Sequence, residues 1–151
     1  MTAMLSEEMQ DLITNHRAGM VATINDDGTP SVSPKATFVI LSDSHIAVGN
    51  LRSPGTVGNL RKRPQVEVCF IDVLTRKAVR VSGTARITSR ADAPSNLTAA
   101  FLRDWPDYIE HMSSFIEIDI TAAELILSPG YDLGFTEQEL KAQNLAKLNA
   151  L

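Results

Sequence analysis

The spacing of apolar residues changes along this chain, and each change marks an element. Met9, Leu12 and Ile13 recur at roughly helical spacing behind Ser6, a good N-cap, with Glu7 and Glu8 in a first turn where the helix dipole favours negative charge. This predicts a helix over about 6–17, ending near Gly19. Met20-Val21-Ala22-Thr23-Ile24 reads as a strand, and Asn25-Asp26-Asp27-Gly28-Thr29-Pro30 as a turn with the Asp-Gly signal of a tight hairpin. A return strand is expected over residues 31–41, with Pro34 marking an edge or a bulge. Ser42-Asp43-Ser44 then turns the chain into a third strand over 45–48.

Ser53 is suited to N-cap the next helix, and Pro54 to its first position, where a missing N–H costs nothing. That helix runs about two turns to Lys62 and stops before Pro64. Residues 65–72 and 78–88 read as two strands joined around Thr75-Arg76. Asp92-Ala93-Pro94 opens a further helical region with Leu97, Phe101 and Leu102 on one face, broken at Pro106. Over 115–127, Ile116, Ile118 and Ile120 alternate with Glu117 and Asp119, the pattern of a half-buried strand. Thr136-Glu137-Gln138-Glu139 is a capping box for a C-terminal helix over about 136–149 bearing Leu140, Leu145 and Leu148. About six strands linked by hairpins, without a βαβ rhythm, predict a mainly β fold: an antiparallel barrel or sandwich with peripheral helices.

Composition narrows the class. The 151 residues suit one domain spanning 1–151, large enough to bury a core, and 44% hydrophobic with 21% charged residues is ordinary for a globular protein. No apolar stretch approaches the ~18 residues a membrane span needs, and the acidic N-terminus is unlike a secretory signal. Cys69 is the one cysteine, so no internal disulfide forms. It sits within Val66-Glu67-Val68-Cys69-Phe70-Ile71, which predicts a buried, inert thiol; a cytoplasmic location is expected. A net charge of −4 gives no reason to expect nucleic acid or a membrane as partner. Between Arg52 and Arg90, however, nine Lys or Arg face two acids, Glu67 and Asp72. A small polyanionic ligand suits that basic middle better than a duplex.

The start of the middle helix is the first candidate site. Free N–H groups and the helix dipole favour an anion there, with Ser53 and Thr56 hydroxyls, Gly55 and Arg52 alongside; an ordinary Ser-Pro capped helix is the competing reading. In 78–88, Arg80, Ser82, Thr84 and Arg86 share one face, and Ser31, Ser33, Lys35 and Thr37 share another if Pro34 does not shift the register. Lys35, Arg80 and the Arg52/Ser53 helix start are candidates to converge on one phosphate through charge-assisted hydrogen bonds. No metal site is expected, because His16, His45 and His111 lack ligand spacing. Gly-x-Gly-x-x-Gly, Walker and Gly-x-Ser-x-Gly patterns are absent from the sequence. Trp105 and Tyr108 either pack a core or interface, or cover a ligand.

These segments resemble the pyridoxamine 5'-phosphate oxidase-like, FMN-binding split-barrel family. The resemblance rests on Ala18-Gly19-Met20-Val21-Ala22-Thr23 with Gly28-Thr29-Pro30, on Ser33-Pro34-Lys35, on Asn50-Leu51-Arg52-Ser53-Pro54-Gly55-Thr56 with Asn59-Leu60 and Pro64, on Arg76-Lys77-Ala78-Val79-Arg80-Val81-Ser82-Gly83, and on Ser128-Pro129-Gly130-Tyr131-Asp132. It covers about residues 5–140 and is carried by the order and spacing of the pieces. It implies a six-stranded antiparallel split β-barrel, a homodimer, and two FMN sites built from both subunits. It further implies cofactor contacts from Lys35, Ala36 and Thr37, from Asn50, Leu51, Arg52, Ser53 and Thr56, and, from the partner, the strand around Lys77, Ala78 and Arg80. The chain departs from pyridoxamine phosphate oxidases at Pro54-Gly55, where they carry Arg-Lys, and at Ala78, where they carry Gln. It also has no Trp after Trp105 and no Arg after Arg103 to match their C-terminal substrate residues. The resemblance therefore carries over FMN and an oxidoreductase acting on an unassigned small molecule, with no acid or base named. Alternatives are deazaflavin F420 or haem on the same fold, a non-catalytic flavin-binding stress-related module, and a dimer with no ligand.

Overall fold

The computed structural model describes residues 4–151. Helix α1 (Glu7–Asn15) starts as expected, with Ser6 Oγ accepting from Met9 N–H at 3.2 Å. Strands β1 (Gly19–Ile24) and β2 (Pro30–Lys35) form the predicted hairpin, and Gly28 takes the positive φ of 84° that its turn demands. Then follow β3 (Phe38–Ser42), β4 (His45–Asn50), α2 (Pro54–Lys62), β5 (Gln65–Asp72), β6 (Lys77–Ser89), α3 (Ser95–Asp104) and β7 (Ser114–Leu127). A short turn of helix, α4 (Pro129–Asp132), leads to α5 (Glu137–Asn149), whose Thr136–Glu139 capping box is present in both directions.

The described residues hold seven strands rather than six, in one antiparallel sheet of order β2-β1-β5-β6-β7-β4-β3. The expected strand over 31–41 is two strands. Phe38 N–H donates to Ala36 O at 2.8 Å, a three-residue turn that breaks the extended run. The turn sends β2 and β3 to opposite edges of the sheet, and Pro34 sits on an edge strand where its missing N–H is harmless. Since Lys35 and Phe38 are three Cα steps apart, at most about 11 Å, the sheet must roll until its edges approach at that corner. No ladder joins β2 to β3, so hydrogen bonding leaves the roll open and does not complete a barrel.

The roll encloses the main core. Phe38 from one edge meets Phe70 of β5 edge-to-face with centroids 4.7 Å apart, among Val21, Val48, Val68, Val81 and Ile118. A second core lies outside the roll, where α3 covers β3, β4 and β7. There Leu97, Ala100 and Phe101 pack on Val39, Ala47 and Phe115, with Phe101 and Phe115 stacked at 4.6 Å. Leu102, expected on the buried face of this helix, is exposed; Ala100 takes that place. On α5 only Leu140 and Asn144 are buried, and Leu145 and Leu148 are exposed. Asn144 instead donates to Leu74 O at 2.9 Å and accepts from Arg76, tying the helix to the β5–β6 turn by polar contacts.

The rest of the outer face has no such cover. Strand register sets Pro34, Met20, Cys69, Arg80 and Glu124 in one row across five strands, and Val32, Ala22, Glu67, Ser82 and Ala122 in the next. Ile71, Ala78 and Ile126 form a third. Met20 is 47% exposed, Val32 63% and Ile71 45%. Cys69 stands half-buried on this face, not in the core as expected. Among the described residues no helix is long and apolar enough to cross a membrane.

Candidate functional site

Four stretches of chain meet in one cleft of about 320 Å3. The β2–β3 turn supplies Pro34, Lys35, Ala36 and Thr37, the end of β4 Gly49, the lead into α2 Leu51, Arg52 and Ser53, and the loop after α3 Trp105 and Tyr108. The turn and β4 are tied reciprocally: Thr37 Oγ1 donates to Gly49 O at 3.1 Å, and Gly49 N–H returns to Thr37 O at 3.1 Å. At Gly49 an added Cβ would meet the Met112 side chain, which occupies the space beside it.

Ser53 and Pro54 begin α2 as the sequence predicts, but the Ser53 hydroxyl caps no backbone amide. It is thus free for a ligand at the helix N-terminus, where exposed N–H groups favour an anion. Lys35 Nζ donates only to Ser33 Oγ, at 2.9 Å, and burial pushes its ammonium pKa below the usual 10.5. Among the described residues neither Lys35 nor Arg52 has a carboxylate partner. Five cations of the basic middle pair with carboxylates: Lys62 and Arg63 with Asp26, Lys77 with Glu8 and Glu137, Arg80 with Glu124, and Arg86 with Glu117 and Asp119, whereas Arg61, Arg76 and Arg90, like Arg52, do not among the described residues. The cleft lining holds two cations and no carboxylate. Beside it, Asn50 Nδ2 donates to Ser114 Oγ at 3.0 Å while its buried Oδ1 has no donor among the described residues, an acceptor left open.

Of the residues expected at the site, Lys35, Ala36, Thr37, Leu51, Arg52 and Ser53 line this one cleft, and Asn50 and Thr56 flank them in the chain. Ser31, Ser33 and Lys35 do share a face of β2, opposite Thr23, Val21 and Gly19, whereas Thr37 lies past the strand. Lys77, Ala78 and Arg80 do not reach the cleft within one chain: Lys77 bridges α1 and α5, Arg80 is exposed on the outer face of β6, and Ala78 on that same face is buried. Trp105 packs on the second core, one of its two expected roles, and also lines the cleft. Gly49 and Pro34 were not singled out as site residues; only their contacts reveal them. Groups of three or more His, Cys, Asp or Glu placed to hold a metal are absent among the described residues.

The fold and cleft define a class: a rolled antiparallel sheet with a cleft lined by two cations and no carboxylate at the margin of an uncovered outer face. The family described as pyridoxamine 5'-phosphate oxidase matches residues 5–127, and the chain belongs to that family. Solved structures with the same fold include HupZ of Group A Streptococcus (24% identity, 83% of this chain and 96% of that one, TM-score 0.70). Another is a Clostridium acetobutylicum protein related to general stress protein 26 of B. subtilis (17% identity, 80% and 86%, TM-score 0.57). An F420 reductase is similar at 20% identity, with 76% and 94% covered and a TM-score of 0.58. No curated protein matches the chain.

Proposed function

We propose that this protein is an FMN-binding oxidoreductase of a small molecule, with the cofactor held where two copies of the chain meet. The observation that carries the reading is the cleft itself: Lys35, Arg52 and Ser53, 17 and 18 residues apart in sequence, line one hollow that contains no carboxylate. That donor set suits a phosphate monoester, bound by two cations, a hydroxyl and the α2 N-terminus. FMN, when bound, supplies the hydride and electron chemistry. The chain's own residues bind and orient: Lys35 and Arg52 neutralise the phosphate, Ser53 Oγ donates to it, and Trp105 and Tyr108 wall off one side from water. No protein acid or base is assigned.

The homodimer is supported by the uncovered rows of Met20, Val32 and Ile71, because exposed apolar patches of this kind mark interaction surfaces. Pro34 belongs to both the patch and the cleft. A second copy seated on the patch would bring its own Ala78 and Arg80 to the joint, the placement that the sequence resemblance implies for them. The F420 reductase keeps a deazaflavin ligand as one competing outcome, and the non-catalytic flavin-binding module considered from the sequence is the other.

The test is the visible spectrum and mass of whatever co-purifies, followed by titration with FMN. Bound flavin that NADH or NADPH reduces, and that a small acceptor reoxidises, supports the reading. A different chromophore, or no effect of excess FMN on the thermal midpoint, sinks it, since specific binding at 100-fold excess over Kd adds about 2.7 kcal/mol.

A further inference from the structure

We propose that Trp105 and Tyr108 form a ring-binding subsite of the cleft, one that takes a flat aromatic ring without positive charge. The proposal deepens the cofactor reading and rests on it for what fills the basic end.

Trp105 is held in place before any ligand arrives. Its Nε1 donates to Phe38 O at 2.9 Å. The same carbonyl accepts from Arg17 Nη1 at 3.0 Å, and Arg17 also pairs with Asp104 Oδ2 at 3.1 Å. The guanidinium lies 5.4 Å from the indole centroid, so Arg17 braces the ring as well as its neighbours. At the far end of the loop Ile109 is buried and Met112 fills the notch left by Gly49. Between these two anchors Tyr108 stands edge-on to Trp105, with centroids 5.9 Å apart and planes at 73°, and is 48% exposed. A fixed indole beside an open phenol ring, with the exposed Leu51 also in the lining, is an aromatic surface lacking a partner.

Charge sets the selectivity. The lining holds Lys35 and Arg52 and no carboxylate, so a cationic ring meets repulsion that no lining carboxylate neutralises, while a neutral or anionic ring does not. The flat ring is either the flavin's own isoalloxazine or that of a second small molecule, and the two are separable.

Trp105 is the only tryptophan, so its emission reports directly on the wall. The purified full chain, dialysed free of small molecules, is titrated with riboflavin, inorganic phosphate, benzoate and benzylammonium, and the FMN-loaded chain with benzoate. The expected result is quenching by riboflavin or benzoate but not by benzylammonium. Tyr108→Ala should weaken the binding of that ring about tenfold, Tyr108→Phe should restore it, and phosphate affinity and thermal midpoint should stay unchanged. Benzoate excluded from the FMN-loaded chain assigns the wall to the flavin ring; benzoate still quenching assigns it to a second molecule. Ring compounds that bind wild type and Tyr108→Ala alike, or that leave Trp105 emission unchanged, overturn the proposal. Failure of FMN alone, with benzoate still quenching, overturns the cofactor reading and leaves the subsite standing.

Discussion

The outer surface of the rolled sheet has two halves with the same alternating pattern and opposite fates. Over β3, β4 and β7, the outward residues Val39, Ala47 and Phe115 are buried beneath α3. Over β2, β1, β5 and β6, the outward residues Val32, Met20 and Ile71 remain open. A ten-residue helix makes the difference. Fully burying an apolar side chain is worth roughly 1.5–3 kcal/mol, so the open half withholds stabilisation that a covering partner would supply. An apolar outward row therefore identifies a surface to be covered without saying whether the chain or another molecule covers it. The cleft lies at the margin of the open half, through Pro34.

The largest effect should come from breaking the covered half. Phe101→Ala should cost about 3–5 kcal/mol in denaturant unfolding, while Met20→Ala costs the single chain far less. Comparable losses would erase the contrast between the halves. Next, Met20→Asp should place a charge in the proposed contact and weaken self-association about 100-fold or more, read by sedimentation, with the fold intact by circular dichroism. An unchanged association constant would mean that the open face is not the contact. At the cleft, Lys35→Ala and Arg52→Ala should each weaken FMN about 10- to 100-fold, the worth of one charge-assisted hydrogen bond, with Arg52→Ala leaving the thermal midpoint of the free chain unmoved. Arg80→Ala should weaken FMN less, and only under conditions where the chain is dimeric.

The smallest effect concerns pH, and it too separates the halves. Hydrogen bonding from Arg103 holds the Asp104 carboxyl below its ordinary 3.8, against burial, and Arg17 adds to the lowering. Its folded pKa lies below its unfolded one, so the stability it contributes is present above the usual carboxylate value and is lost as pH falls through the lowered one. Asp104→Asn should flatten that acid limb in pH-dependent unfolding. Lys35 titrates the other way: burial lowers its folded pKa, so the free chain gains stability as pH rises from that lowered value towards 10.5. Lys35→Met should remove this alkaline gain and leave the acid limb untouched.

Much of the fold was legible because it is written in local signals. The Ser6 and Thr136 caps, the Asp27-Gly28 turn and the Ile116/Ile118/Ile120 alternation each dictate an element regardless of distant contacts. The break between β2 and β3 was not legible, since Pro34 marked an edge but nothing in Ala36-Thr37 announces a three-residue turn. The buried face of α5 was not legible either, because Asn144, a polar residue, takes a buried position through hydrogen bonds. At the site, Lys35, Arg52 and Ser53 were readable from residue type and from the family resemblance. Gly49, whose value is the space it leaves for Met112, needed three dimensions, as did the place in the cleft of Tyr108, a residue the sequence singled out without fixing its role.

The central claim is that a phosphate-bearing flavin fills the Lys35–Arg52–Ser53 cleft where two copies join on the open face. Native mass spectrometry of the full chain in excess FMN tests it in one spectrum. The account predicts two chains carrying two FMN molecules, with both dimer and flavin diminished in Met20→Asp. A single chain that takes up no FMN at any concentration would contradict it.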